Sequence, residues 1–258
     1  MSDATVLTRK LGNITHISIN RSECKNAVDE TTAQALYEAF DCFDHDESAS
    51  VAVFSGEGGA FCAGADLKGV ANGTPQPVEV EGRGPMGPTR MRLSKPVIAA
   101  VEGPAVAGGL ELALWCDLRV AARDSLFGVY CRRFGVPLVD LGTVRLPRLI
   151  GHSRAMDLIL TGRGIDGVEA ERIGLVNRLC ESGKALDCAV QLATEIAELP
   201  QRCLRNDRLS AIEQWDLDHE SATRNEIWRG IDTINSGETL LGAGRFSGGE
   251  GRGGKPVS

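Results

Sequence analysis

The sequence lacks any hydrophobic run that could cross a membrane, and it has no surplus of basic residues. None of its apolar stretches approaches the roughly 18 residues expected of a membrane-spanning helix. The 258 residues include 28 Lys and Arg against 35 Asp and Glu, which gives a formal net charge of −7. Because nucleic-acid-binding domains present a basic surface, this balance predicts neither a nucleic-acid partner nor a membrane partner.

The residue spacings of a metal site are also missing. The eight cysteines are scattered, and no two lie within four residues of each other, so the paired cysteines of a zinc site are absent. The first twenty residues are polar and strand-like and show no secretory signal, which predicts a cytoplasmic protein with reduced thiols. We therefore expect no metal, and we interpret most cysteines as small buried hydrophobic residues.

Aromatic residues are scarce, at 5% of the chain, whereas glycine is abundant, at 31 residues. This glycine content, about 12%, exceeds the usual ~7% and indicates close backbone approaches, low-complexity segments or both. Residues 70–90 are rich in Gly and Pro without periodicity, which predicts a mobile loop. The Gly-rich residues 247–258 are predicted to be a disordered tail.

Hydrophobic periodicity predicts an α/β body followed by a helical C-terminal portion. Alternating or short apolar runs predict strands at about 5–9, 14–19, 51–54 and 97–101. Helical spacing predicts helices at about 29–43, 108–115, 153–160, 168–173, 186–199 and 206–230. We therefore divide the chain into a core over 1–200, a helical region over 201–246 and the tail.

Two glycine-rich turns, 61–68 and 104–112, are the most informative segments. Each follows a buried strand and holds small residues that could leave a backbone N–H bare. The second turn also opens a helix, whose first N–H groups lack internal partners and carry partial positive charge. One N–H from each turn would together bind a developing oxyanion. The alternative is ordinary turn and helix packing, which requires glycine just as often.

Glu111 is the only charged residue between Gly103 and Asp117. Its neighbours are apolar, so its carboxyl group should be partly buried, with a pKa raised toward neutrality. A general acid or base at neutral pH needs such a pKa. The alternative interpretation is a glutamate on a solvated helix face.

Several linked segments resemble the crotonase family, also called the enoyl-CoA hydratase/isomerase superfamily. They are 20–21 with 25–27, FCAGADLK at 61–68, KPVIAAV at 95–101, GGLELALWCD at 108–117, RLPRLIG at 145–151 and IGLVNR at 173–178. The resemblance implies a spiral core of ββα units and a helical C-terminal trimerisation region. It also implies a homotrimer or a dimer of trimers, and coenzyme A as part of the substrate rather than as a separate cofactor.

The same resemblance implies a set of site residues. The oxyanion donors would be the N–H groups of Ala65 and Gly108, with Glu111 as general acid/base. The residues implied along the adenine and pantetheine path are Lys25, Ala27, Ala63, Asp66 and Leu67. The 70–90 loop would border the acyl pocket. Lys25 or Lys68 would contact a CoA phosphate, and the spacing does not choose between them.

One position departs from the family pattern. Hydratases of this family use a second glutamate about twenty residues after the first, and Cys131 stands there, with Tyr130 in place of the usual proline. A neutral thiol does not replace a carboxylate as a base, and a positioned acid or base contributes about 10²–10⁴ in rate. Asp140 and Tyr130 are candidate substitutes, and hydration would need one of them or Cys131 itself to help. Three hypotheses follow: a thioester lyase or isomerase that uses Glu111, a non-catalytic acyl-CoA-binding protein, and covalent chemistry at Cys131.

Overall fold

The structure, a computed structural model, describes residues 4–73, 77–251 and 253. Part of the predicted 70–90 loop and most of the end of the predicted tail therefore lie outside the described residues. Within the described part the strands are β1 (Val6–Leu11), β2 (Ile14–Ile19), β3 (Val51–Gly56), β4 (Val97–Val101), β5 (Pro104–Val106), β6 (Leu118–Ala122), β7 (Leu126–Gly128), β8 (Gly164–Asp166) and β9 (Arg178–Cys180). The α-helices are α1 (Glu30–His45), α2 (Leu67–Ala71), α3 (Gly108–Trp115), α4 (Gly142–Ile150), α5 (His152–Thr161), α6 (Gly167–Arg172), α7 (Ala185–Ala197), α8 (Gln201–Glu213), α9 (His219–Asn235) and α10 (Glu238–Ser247).

The strands form two sheets. The larger sheet has the order β1-β2-β3-β4-β6-β9, in which β1 and β2 are antiparallel and every other neighbouring pair is parallel. The smaller sheet has the order β5-β7-β8, with β5 parallel and β8 antiparallel to β7. Because β5 follows β4 after two residues, the chain passes directly from one sheet into the other.

The larger sheet is covered on both faces, so its central strands are buried throughout. Successive side chains of a strand point to opposite faces. In β3, Val51 and Val53 accordingly face α7, while Ala52 and Phe54 belong to the main core. The α7 side that faces the sheet carries Ala185, Ala189 and Ala193, whose small side chains let the helix lie close to the strands. Apolar runs without alternation are the expected sequence of such doubly covered strands.

Helix α3 follows β5 and is held at both ends. At its start, Gly109 lies so close to the backbone of Cys62 that an added Cβ would be 2.1 Å from the Cys62 carbonyl oxygen. At its end, the buried Arg119 donates hydrogen bonds to the carbonyl oxygens of Ala113 (3.1 Å) and Cys116 (2.7 Å). The guanidinium thus satisfies C-terminal carbonyls and complements the helix dipole there. The N-terminal end of α3 faces the cavity described below.

The predicted strands and most of the predicted helices are confirmed to within a few residues. The single helix predicted over 206–230 is wrong, because the structure has α8 and α9 there with a break between them. Asp218 begins α9 as its N-cap, and its carboxylate accepts a hydrogen bond from the Ser221 N–H at 2.9 Å. Periodicity alone did not separate the two helices, because a single N-cap residue does not change the hydrophobic spacing around it.

The predicted mobile loop over 70–90 is wrong for its second half. Residues 84–89 are buried, and Pro88–Arg90 form a turn of 3-10 helix. Gly87 has a φ of +93°, and a Cβ there would lie 2.5 Å from the Ala33 carbonyl oxygen on α1. A segment without helix or strand periodicity can still be packed into the core, and here the glycine allows that packing.

Among the described residues no helix is long and apolar enough to cross a membrane.

Candidate active site

A largely apolar cavity of about 450 Å³ lies at the N-terminal end of α3. Three parts of the chain enclose it: the turn before α2, the buried segment around Met86, and the stretch between β7 and α4. Leu67, Val78 and Phe134 are exposed and line the same cavity, so they mark its mouth. Gly108, Glu111 and Asp140 supply polar groups inside it. A concave apolar pocket with a few converging polar groups is the usual form of a small-molecule site.

Ala65 and Gly108 line this cavity, and the fold brings their turns together. Cys62 pairs with β5, since its N–H donates to the Pro104 carbonyl (2.9 Å) and its carbonyl accepts from the Val106 N–H (3.1 Å). Because β5 ends two residues before α3 begins, this pairing brings residues 62–65 close to the start of the helix. Among the described residues, the N–H of Ala65 and the N–H of Gly108 have no hydrogen-bond acceptor.

Gly64 keeps these two amides accessible. Its φ is +99°, and a Cβ there would lie 2.9 Å from the Ala107 Cβ and 3.1 Å from the Gly108 nitrogen. Ala107, just before α3, also has a positive φ of 54°. Positive φ at a residue other than glycine is strained and is often found at functional sites. The turn therefore presents bare N–H groups, aided by the partial positive charge of the helix N-terminus.

Glu111 is only 2% exposed, so the prediction of a buried carboxyl group is confirmed and the solvated-face alternative is wrong. Its Oε1 accepts hydrogen bonds from the backbone N–H groups of Asp140 (2.9 Å) and Gly142 (2.8 Å). Its Oε2 accepts none from the described residues. Burial, followed by the charge of Asp140, raises the pKa of Glu111 to about 7, against the opposing effect of the two amides. Such a group exchanges protons readily near neutral pH.

The three candidate substitutes for a second glutamate all line the cavity, but they are placed differently. Cys131 is buried, and burial followed by the charge of Glu111 raises the pKa of its thiol. Tyr130 has the Arg133 guanidinium 3.8 Å from its ring centre, and its hydroxyl lies against Gly164. Asp140 is buried, and its Oδ1 accepts hydrogen bonds from the Met86 N–H (3.0 Å) and the Thr89 hydroxyl.

Two of the residues implied for the adenine and pantetheine path, Ala63 and Leu67, line the cavity. Ala27 is buried, and Lys25 is exposed with a φ of +54°. Lys68 is exposed as well.

The Asp66 carboxylate serves the local structure of this mouth. Its Oδ2 is 3.1 Å from Arg21 Nη2, and its Oδ1 accepts from the N–H groups of Lys68 and Gly69 at the start of α2. The Arg21 guanidinium also donates to the Ala27 carbonyl. These bonds join the 21–27 loop to the turn that carries Ala65.

Sequence reasoning missed four residues that build the site: Met86, Thr89, Gly142 and Arg145. Arg145 donates to the carbonyl oxygens of Asp140 (3.2 Å) and Thr89 (2.7 Å). A Cβ on Gly142 would lie 2.8 Å from Glu111 Oε1, so only glycine lets this amide reach the carboxylate. Met86 and Thr89 lie in the segment interpreted as a mobile loop, where no periodic signal could reveal them.

Comparisons with known proteins identify the family of the chain. The family model described as enoyl-CoA hydratase/isomerase matches residues 9–226. The chain belongs to the enoyl-CoA hydratase/isomerase family. Enoyl-CoA hydratase EchA19 of Mycobacterium tuberculosis is 36% identical over 203 residues, which cover 76% of each chain. Human enoyl-CoA hydratase domain-containing protein 2 is 40% identical over 73% of this chain and 66% of its own.

Solved structures of the enoyl-CoA hydratase/isomerase family share the fold. The crystal structure of an enoyl-CoA hydratase from M. tuberculosis has a TM-score of 0.89 and 40% identity, and covers 95% of this chain and 96% of its own. EchA1 of Mycobacterium marinum has a TM-score of 0.90 and 38% identity, with 99% and 98% covered. The predicted α/β fold of the crotonase type is therefore confirmed. In the described part of the chain, no three His, Cys, Asp or Glu side chains are grouped to hold a metal ion.

Proposed function

We propose that this protein is an enzyme that acts on a coenzyme A thioester. The N–H groups of Ala65 and Gly108 hold the thioester oxygen, and Glu111 moves a proton as general acid/base. The observation that carries the proposal lies in one cavity, where two amides have no acceptor and one oxygen of a buried carboxylate has no donor among the residues that the structure describes. Relatives named enoyl-CoA hydratase support the class of substrate.

The proton transfer follows from the charges at the site. When a base removes a proton from the carbon next to the thioester carbonyl, negative charge develops on the carbonyl oxygen. Two aligned N–H groups stabilise this oxyanion, and removal of one such donor typically costs about 10²–10³ in kcat. Glu111 takes the proton and returns it two carbons away, which moves the double bond of a 3-enoyl thioester to the 2 position. One carboxyl group is sufficient for this isomerisation.

Hydration of a 2-enoyl thioester needs more. Water then supplies oxygen to the third carbon and a proton to the second, and a group besides Glu111 has to orient or activate the water. Cys131, Tyr130 and Asp140 are the candidates in the cavity. The raised pKa of the Cys131 thiol keeps it protonated near neutral pH, which makes it a poor base and disfavours the thiolate that covalent chemistry would require.

CoA would enter along the mouth lined by Ala63 and Leu67, with Lys25 or Lys68 at its phosphates. We also propose the assembly that the family resemblance implies, a homotrimer or dimer of trimers. The C-terminal helices support this, since they expose large apolar side chains such as Trp228 (68%) and Leu240 (79%). Extended apolar surface of this kind is typical of an interaction face. The predicted cytoplasmic localisation stays a prediction.

The test is the Glu111→Gln variant, assayed for isomerisation of 3-butenoyl-CoA and for hydration of crotonyl-CoA. Loss of the acid–base group should lower turnover at least about a hundredfold. Glu171→Gln, on the exposed side of α6, is the matched control and should keep wild-type turnover. Unchanged turnover in Glu111→Gln would contradict the assigned role. Calorimetric binding of both thioesters by a wild-type protein that turns over neither would instead favour the non-catalytic acyl-CoA-binding protein.

A further inference from the structure

The carboxylate of Asp140 is buried. Asp140 is 2% exposed, and no Lys, Arg or His side chain of the described residues forms a salt bridge with its carboxylate oxygens. Its Oδ1 instead accepts from the Met86 N–H at 3.0 Å and from the Thr89 hydroxyl. A buried carboxylate is costly unless its hydrogen bonds are specific, and these two bonds are therefore the key to its role.

The backbone of the same residue serves Glu111. The Asp140 N–H donates to Glu111 Oε1 at 2.9 Å, and its carbonyl accepts from Arg145 Nη1 at 3.2 Å. Arg145 Nη2 donates to the Thr89 carbonyl at 2.7 Å. One residue therefore contacts the acid–base carboxyl group through its N–H and the 86–89 segment through its side chain.

The 86–89 segment matters because it covers an oxyanion donor. Met86 lies over the start of α3, where a Cβ added to Gly108 would be 2.6 Å from the Met86 sulfur. Two bonds of Asp140 hold this segment in place, one to Met86 itself and one to Thr89. The approach is close, since a Cβ on Gly84 would lie 2.7 Å from Asp140 Oδ1 and 2.1 Å from Thr89 Oγ1.

We propose that Asp140 is a positioning residue. It joins the hydrogen-bonded carboxyl group of Glu111 to the 86–89 segment, which covers Gly108. This inference rests on the proposed function and deepens it. The two halves of the reaction, proton transfer at Glu111 and oxyanion binding at Gly108, are held at a set distance by one residue, through its backbone N–H and its side chain. Misplacement of a reacting group by about 1 Å can cost 10²-fold in rate, so such a connector affects turnover without contacting substrate.

The charge of Asp140 has a second effect, on the protonation of Glu111. The groups facing this pair are Cys131 before α4, Arg145 on α4 and Arg90 at the end of the 3-10 turn. Arg145 lowers the pKa of both carboxyl groups and Arg90 lowers that of Asp140, whereas the negative charge of Asp140 raises the pKa of Glu111. Removing this negative charge while keeping its hydrogen bonds should lower the pKa of Glu111.

The experiment compares Asp140→Asn with Asp140→Ala. Asparagine keeps an oxygen that accepts from Met86 and Thr89 but carries no charge, whereas alanine removes both bonds. The Glu111 titration is followed by carbon-13 NMR of protein labelled at glutamate carboxyl carbons, with the signal assigned by its loss in Glu111→Gln. We expect the Glu111 pKa to fall by about half a unit or more in Asp140→Asn. Turnover should fall at least about tenfold in Asp140→Ala and much less in Asp140→Asn.

Two further variants keep the test decisive. Thr89→Val removes one donor to Asp140 at nearly constant volume, and it should lower kcat in the same direction if Asp140→Ala does not fold. Glu171→Gln removes an exposed carboxylate and should change neither the Glu111 titration nor kcat. An unchanged Glu111 titration in Asp140→Asn, together with wild-type kcat in Asp140→Ala and Thr89→Val, would overturn the proposal. A wild-type protein without Glu111-dependent turnover would contradict the proposed function instead, and the NMR titration would still decide the effect of Asp140 on Glu111.

Discussion

The two halves of the cavity are built by different means. One half presents the backbone N–H groups of Ala65 and Gly108, the proposed oxyanion donors, and the residues next to them along the chain include glycine and alanine with little or no side chain. The half around Glu111 consists of hydrogen-bonded side chains and amides, chiefly Asp140, Thr89 and Arg145. The comparison indicates that the backbone half tolerates no added volume, whereas the side-chain half depends on charge and on hydrogen bonds.

The largest expected effect comes from adding one methyl group to the backbone half. A Cβ on Gly109 would lie 2.1 Å from the Cys62 carbonyl oxygen and 2.7 Å from its carbon, and neither is a flexible side-chain end. Gly109→Ala should therefore destabilise the protein by about 4 kcal/mol, at the high end for a single substitution. Thermal unfolding measures this as a fall in Tm of roughly 8–16 °C.

Gly230→Ala on α9 is the matched control, since nothing lies within 4 Å of its added Cβ. It should leave stability unchanged or raise it by up to ~1 kcal/mol, the helix propensity difference. An equal Tm for the two variants would show that the backbone half is not closely packed, and the contrast between the halves would then be wrong.

The dependence of the side-chain half on charge should be visible in the way the free energy of unfolding changes with pH. The pKa of Glu111 is raised from 4.5 to about 7, first by burial and then by Asp140. Folding therefore favours the protonated form, so this group's contribution is fully present below pH 4.5 and is lost as the pH rises through about 7. The loss amounts to ~3 kcal/mol at most.

Glu111→Gln is uncharged at every pH and should escape this loss. It should be about as stable as the wild type near pH 4 and more stable near pH 8 by up to ~3 kcal/mol, as measured by urea unfolding. A stability difference that is the same at both pH values would mean that the Glu111 carboxyl group is not destabilised by burial. Gain of stability on removal of a functional group is a common trade-off at active sites.

The smallest of these effects is expected at Gly142, a glycine whose backbone N–H donates to the Glu111 side chain. A Cβ there would lie 2.8 Å from Glu111 Oε1, so Gly142→Ala pushes the carboxylate away from its amide. We expect a fall in kcat of about tenfold, or ~1.4 kcal/mol, with a small change in Tm. Steady-state kinetics with 3-butenoyl-CoA measures it, and a fall in Tm as large as that of Gly109→Ala would show a structural role instead.

The backbone half could be predicted from the sequence because its requirements are local. Glycine and alanine at the end of a buried strand and at a helix start indicate where an N–H can be left bare, and the family resemblance implied that the two N–H groups are those of Ala65 and Gly108. Glu111 could be predicted as well, because a single carboxylate among apolar residues at a helix start indicates a buried group with a shifted pKa. Among the described elements, hydrophobic periodicity predicted four of the nine strands, β1 to β4, and five of the ten α-helices, namely α1, α3, α5, α6 and α7.

The network around Asp140 could not be predicted because it joins residues far apart in sequence. Asp140 and Thr89 are 51 positions apart, and the segment around Thr89 carries no periodic pattern. The break between α8 and α9 was missed for a related reason, since the cap at Asp218 lies within continuous amphipathic spacing. Side-chain networks and caps depend on contacts that a one-dimensional pattern does not encode.

The most direct test of the central claim is a crystal structure of Glu111→Gln with 3-butenoyl-CoA bound. The account predicts that the thioester oxygen lies about 2.7–3.1 Å from both the Ala65 and the Gly108 nitrogens. It also predicts that the carbon next to the carbonyl faces the side chain of residue 111 at about 3–3.5 Å. A thioester oxygen away from either amide, or a reacting carbon turned away from residue 111, would contradict it.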